Sequence, residues 1–281
     1  MVAAIRAEWF KLVRRRAMWL TIGLMLALAV GIEYFLVYIV ATNPPPGAAR
    51  AHADLSALRT GLYPDSVIKK SLANASSLVG IFAVIVGVLA QGSEYSWATV
   101  KTAFVQLPGR LSIMAGQLVS LAALALVMVV GLFIADAAAS YVIGAIDAKS
   151  PAWPSAIDLV KGVGAGWLIL YFLTILGFGL ATLFRQSAMA IGLGLAYVLI
   201  IENLVFGLLV NLGETFKRIQ EWFPIANAGY LEDSFGRARS AMVAPVTASP
   251  VDATHAVMVL ALWLVGVVAM SAMLVRTRDV A

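Results

Sequence analysis

Long apolar runs, separated by short polar breaks, dominate the chain. The first extends from Ala17 to about Ala41 and closes at Asn43 and the breaker Pro44-Pro45-Pro46. The second covers about Leu72 to Gln91, and the third starts near Ile113 and passes Phe133. A fourth lies between Ile157 and Leu183, a fifth between Met189 and Val210, and a sixth runs from Ala256 to Val275, ending at Arg276. Each reaches about 20 residues, which at roughly 1.5 Å per residue crosses about 30 Å of hydrocarbon. The pattern predicts an all-α integral membrane protein of about six transmembrane helices. The third run can continue as helix to Ile146, beyond the membrane.

Composition agrees. Hydrophobic residues make up 62% of the chain and charged residues 12%, against roughly 45–50% and 25% in soluble domains. A soluble protein of 281 residues has too little interior for that surplus, so lipid must take it. No soluble-length stretch separates the runs, so residues 1–281 read as one transmembrane domain. The chain has no cysteine, which removes disulfides and thiolate metal sites.

The net charge of +5 matters less than its distribution. With the N-terminus inside, the inner segments hold Arg6, Lys11, Arg14, Arg15, Arg16, Lys101, Arg110, Arg185, Arg276 and Arg278. The densest cluster, Arg14-Arg15-Arg16, abuts the first run, where such charges weigh most. N-in and C-in is the expected orientation. The run from Ala17 contains Trp19, Tyr34 and Tyr38 and exceeds a signal peptide's apolar core of about 7–15 residues, so it reads as an uncleaved span. Two outer loops are expected, residues 42–71 and residues 212–255. The second carries Phe216, Ile219, Trp222 and Phe223 at helical spacing until Pro224, either as a solvated turn or as a short helix in the outer leaflet.

Two inner segments have further character. Residues 1–16 form an amphipathic helix with Ile5, Trp9, Leu12 and Val13 on one face and Arg6, Lys11, Arg14 and Arg15 mostly on the other. Such a helix suits the headgroup layer, as a plain anchor or as a lever touching a cytoplasmic partner. In the loop 92–112, Glu94 to Phe104 contains no breaker and Pro108-Gly109 supplies the stop. A short cytoplasmic helix with Tyr95, Trp97, Val100 and Phe104 on one side follows, either a connector or a helix seated in a partner's groove.

Residues 4–16, Ala-Ile-Arg-Ala-Glu-Trp-Phe-Lys-Leu-Val-Arg-Arg-Arg, resemble the opening of permease subunits of ABC-2-type ATP-binding cassette exporters, a Glu–aromatic–Lys–Leu connecting helix ending in basic residues. Glu94 to Arg110 resembles their coupling segment, with Ala98-Thr99 where the family commonly has Gly-Thr. The six-run plan and long final outer loop extend the resemblance over the whole chain, nearest to the branch of bacitracin and lantibiotic transport permeases. The resemblance implies a substrate pathway built from two permeases, this chain and a second copy or paralogue, in the plasma (inner) membrane of a prokaryote. Cargo would be a peptide antibiotic, drug or lipid-like amphiphile. It also implies a cytoplasmic ABC ATPase subunit gripping a coupling site of Glu94, Tyr95, Trp97, Thr99, Phe104 and Arg110 and a connecting helix of Glu8, Trp9, Lys11 and Arg14. ATP and Mg would belong to that partner, because this chain has no Gly-x-x-x-x-Gly-Lys-Ser/Thr loop. No cofactor, metal or nucleic acid is expected here. A non-transporting sensor or assembly subunit borrowing an ATPase is the alternative.

Carboxyl groups inside the runs are costly, roughly 2.5–3.5 kcal/mol at mid-bilayer, and must face protein or water. Glu33 and Glu202 are candidates to line a pathway for a cationic or amphipathic substrate. Internal pairing with Asn203, Tyr197 or a basic residue is the alternative, and Asp136 reads as interfacial. An intramembrane enzyme is not expected: His52 and His255 both fall in outer segments, and neither His-Glu-x-x-His nor Gly-x-Ser-x-Gly occurs. Gly177 with Ala181 and Gly192 with Ala196 mark close helix packing, within the subunit or between two copies.

Overall fold

A computed structural model describes residues 2–44, 55–96, 109–209, 213–236 and 251–277. The described residues are helical and contain no strand. Four helices are long and apolar enough to cross a membrane: α2 (Arg16–Thr42), preceded by α1 (Val2–Arg14), then α6 (Arg110–Ile146), α7 (Ala156–Phe184) and α11 (Ala253–Thr277). Between them lie the short α3 (Leu55–Thr60), α4 (Val67–Leu72) and α5 (Leu78–Ser96). Residues 187–209 form α8, a continuous run of 10, 5 and 8 residues whose middle stretch, Tyr197–Ile201, is π-helical. The set is completed by α9 (Glu214–Gln220) and α10 (Pro224–Ser234).

The centre of the bundle is α7. Buried residues fill 61% of its most apolar window, against 22% in α2 and in α11. Its side chains Ile169, Phe172, Leu173, Ile175 and Phe178 are fully enclosed. On α2, α6, α7 and α11, large apolar side chains such as Leu20, Phe35, Ile134, Val160, Leu262 and Met273 point outward. A continuous apolar exterior of this kind suits lipid rather than water.

The second apolar run differs from a single span. It is broken: α4 and α5 are separated by turns over Ala73–Ser77, where Asn74, Ser76 and Ser77 interrupt the apolar sequence. Together the two pieces still cover a long path. Ser71 of α4 bonds Asp136, and Glu94 of α5 bonds Gln117, so the two contacts lie 19 residues apart on α6. At roughly 1.5 Å per residue they are separated by about 28 Å. The run also does not stop at Gln91, because α5 continues as helix to Ser96. Of the expected coupling loop, residues 97–108 lie outside the described residues.

Close backbone contact fastens α5 to α7. A Cβ on Gly87 would meet the Thr174 carbonyl, and one on Gly177 would meet the Val84 carbonyl. The Gly177 spacing therefore serves packing within the subunit. A Cβ on Gly192 would meet nothing within 4 Å. In the expected outer loop, Pro224 stops one helical pattern by starting another: it is the first residue of α10, where its missing N–H is no loss.

Candidate functional site

Polar side chains gather at two places in the bundle. The first is at its basic end, beside Arg14–Arg16. The buried face of α1 is Ala4, Glu8 and Leu12, one residue per turn; of the expected apolar face Leu12 is buried, Ile5 and Val13 are half-buried and Trp9 is exposed. Small residues decide the difference: the Ala4 backbone lies against Gly116 of α6, and a Cβ at Gly116 would sit 3.0 Å from it. Trp9 and Phe10 are left facing outward, and Arg14 stacks its guanidinium over Phe10, 4.2 Å from the ring centre.

Glu8 enters this packed face through Lys11. The Lys11 ammonium reaches Glu8 at 2.6 Å and Glu94 at 2.8 Å, bridging α1 to the end of α5. Gln117 of α6 donates to the other Glu94 oxygen at 3.0 Å. Arg15, the extended residue between α1 and α2, donates to Ser93 Oγ at 2.6 Å and to the carbonyls of Leu89 and Ala90. Burial pushes the Glu8 carboxyl above its ordinary value, against the Lys11 hydrogen bond. Burial pulls the Lys11 ammonium down, and its bonds to Glu8 and Glu94 more than restore it, leaving it raised. The result is a clamp of three elements closed by charge, with a small cavity between Glu8, Lys11, Arg15, Glu94 and Gln117.

Of the expected coupling residues, Glu94 is buried within this clamp, so it can act on a partner only by holding the segment that follows it. The side chains of Tyr95 and Arg110, and all of Trp97, Thr99 and Phe104, lie outside the described residues. Within the connecting helix, Glu8 and Lys11 belong to the clamp, and Trp9 and Arg14 are on its outer side.

The second polar cluster surrounds the break between α4 and α5. Glu33 sits in the π-helical stretch Gly31–Leu36 of α2 and accepts from Asn74 Nδ2 at 2.7 Å. Asp136 of α6 accepts from Ser71 Oγ at 2.7 Å. It is fully enclosed by protein. The Lys70 ammonium lies 3.4 Å from the Glu33 backbone carbonyl, and Glu232 of α10 accepts from the Ser76 N–H. Lys70 and Glu232 do not stand out in the sequence, and Asp136 shows no link to Ser71 there, because the contacts joining them are distant along the chain. The local signals of the site are Glu33 in its apolar run and the polar interruption at Asn74–Ser77.

Glu202, the second candidate beside Glu33, has partners of its own. Its carboxylate accepts from Tyr197 Oη at 2.7 Å and from the Ala226 N–H at 2.6 Å. The latter is an unpaired donor in the first turn of α10, where a negative charge is favoured. Glu202 thus fastens α8 to α10, the internal pairing through Tyr197 that the sequence left open.

Four described helices long and apolar enough to cross a membrane, with large apolar side chains on their outer faces, mark a membrane protein. The chain belongs to the family described as Protein of unknown function (DUF2705), whose model matches residues 61–281. That match contains the broken run, α6 and α10, and it begins after Glu33. No curated protein matches the chain.

Proposed function

We propose that this chain is the permease subunit of an ATP-driven exporter of the ABC-2 type, working with a separate cytoplasmic ATPase and a second permease copy. In this reading the chain crosses the membrane six times, with both ends inside. The broken α4–α5 run supplies the second crossing, supported by its length of about 28 Å along α6, and α8 supplies the fifth.

The observation that carries the reading is the Lys11 clamp. An ATPase that moves a permease must push on its inner segments, and a push is useful only if it spreads to the spans. Lys11, Glu94 and Gln117 join the N-terminal helix, the segment leading into the 92–112 loop and the third span at one point. Force on either inner segment then reaches α2, α5 and α6 together. ATP chemistry belongs to the partner, and the exported cargo is an amphiphile such as a peptide antibiotic, drug or lipid-like molecule.

The test is reconstitution in vesicles with candidate ABC ATPase subunits from the same genome. Active flux with ATPase stimulation is expected, and Trp97→Ala should weaken ATPase binding. Lys11→Ala should leave binding in place and reduce stimulation about tenfold or more, because the link and not the contact is lost. Stimulation without flux of any amphiphile identifies a non-transporting subunit. An ATPase that neither binds nor responds ends the proposal.

A further inference from the structure

The cluster at the break has a shape that the exporter reading does not require. Glu33 comes from α2, Asp136 from α6 and Glu232 from α10, and all three lean on six residues of one interrupted helix, Ser71 to Ser76. The Glu33 and Asp136 carboxylates bond Asn74 in the break and Ser71 just before it, and act on each other electrostatically. Lys70 is the cation acting on both. Its ammonium bonds the Glu33 backbone carbonyl at 3.4 Å. Among the described residues, one ammonium acts on these two carboxylates, which leaves the pair with an excess of one negative charge.

The hydrogen bonds are also incomplete. Among the described residues, Glu33 Oε2 and Asp136 Oδ1 are enclosed with no hydrogen-bond partner. A third group points the same way. The Tyr34 side chain is 1% exposed, its hydroxyl has no partner, and it lies in the field of both carboxylates. Buried oxygens left unsatisfied are rare and ask for an occupant. Three of them beside an excess negative charge ask for a positive one. Interrupted helices at membrane depth commonly serve this purpose, since the turn exposes backbone and side-chain groups that a regular helix would hide.

We propose that the break in the second run is a monovalent-cation site, in which Glu33 and Asp136 hold one proton or one sodium ion within electrostatic reach of the Tyr34 hydroxyl. Asn74 and Ser71 fix the carboxylates, Lys70 sets the net charge so that one cation neutralises the pair, and Glu232 holds the turn. The site stands on its own, whatever partner drives the chain.

The experiment is thermal unfolding of the purified full chain in detergent, followed by tryptophan fluorescence. Sodium is titrated against choline at constant ionic strength, and pH is varied between about 5.5 and 8.5 in choline alone. A saturable rise in Tm with sodium identifies sodium; a rise on acidification that sodium does not change identifies the proton. Either response should disappear in Glu33→Gln and in Asp136→Asn. Tyr34→Phe keeps both carboxylates and guards against variants that fail to fold; its midpoint should shift about tenfold in cation concentration, one pH unit for a proton. The proposal is overturned by a wild type indifferent to both sodium and pH, by a response that persists in the folded carboxylate variants, or by an unshifted Tyr34→Phe midpoint.

Discussion

Asp147 shows how one residue can close a long helix. It ends α6, where exposed carbonyls leave a negative dipole end that a carboxylate would not choose. Arg59 offsets this by donating from Nε at 3.0 Å and from a second guanidinium nitrogen, and Tyr63 Oη adds a bond at 2.9 Å. The Arg59 hydrogen bonds hold the Asp147 carboxyl below its usual range. A depressed folded value means that stability from this group is fully present above the unfolded pKa, about 3.9, and is lost as pH falls through the folded one. Asp147→Asn should therefore unfold at a lower temperature than the wild type by a constant margin from about pH 5 to 8. The margin should shrink below about pH 4. Paired melting curves across that range check it, and a margin unchanged in acid would show that Arg59 does not act through the charge.

At the scale of elements, the α5–α7 seam is set by glycine. Gly87 and Gly177 let the two backbones touch, and a methyl at Gly87 would also sit 2.9 Å from the Phe178 nitrogen. No side chain can rotate away from a backbone clash, so Gly87→Ala and Gly177→Ala should each lose about 1–3 kcal/mol by overpacking. Gly192→Ala, with open space around it, should change stability little; unfolding in detergent compares the three. The sequence made the apolar runs legible because length and hydropathy are local properties, and α6 does run to Ile146 as its pattern allows. It also named Glu33, since a carboxylate in an apolar run stands out. It could not place Asp136 beside Ser71 or Lys11 beside Glu94, because these bonds span 65 and 83 residues of chain. Nor did periodicity choose the buried face of α1, which the Gly116 contact decides.

For the whole molecule, the open quantity is how many helices cross, and the chain suits a direct count. It contains no native cysteine, so single cysteines report without background. Four helices meet the length and hydropathy of a span on their own, whereas six crossings require the α4–α5 pair and α8 to cross as well. With the N-terminus inside, the two arrangements differ at specific places. Six crossings put Ser150, between α6 and α7, outside and Gln186, between α7 and α8, inside. Four crossings reverse both. Thr277 is inside in either case and serves as the control. All three residues are exposed, so each can be reached from its own side. Ser150→Cys should react with a membrane-impermeant maleimide on intact cells, and Gln186→Cys and Thr277→Cys should react only after permeabilisation. The expectation of six rests on the α4–α5 run, whose Ser71–Asp136 and Glu94–Gln117 bonds lie about 28 Å apart along a helix long enough to span. Labelling of Gln186→Cys on intact cells, with Ser150→Cys silent, would reduce the count to four and remove the inner coupling loop from the proposed mechanism.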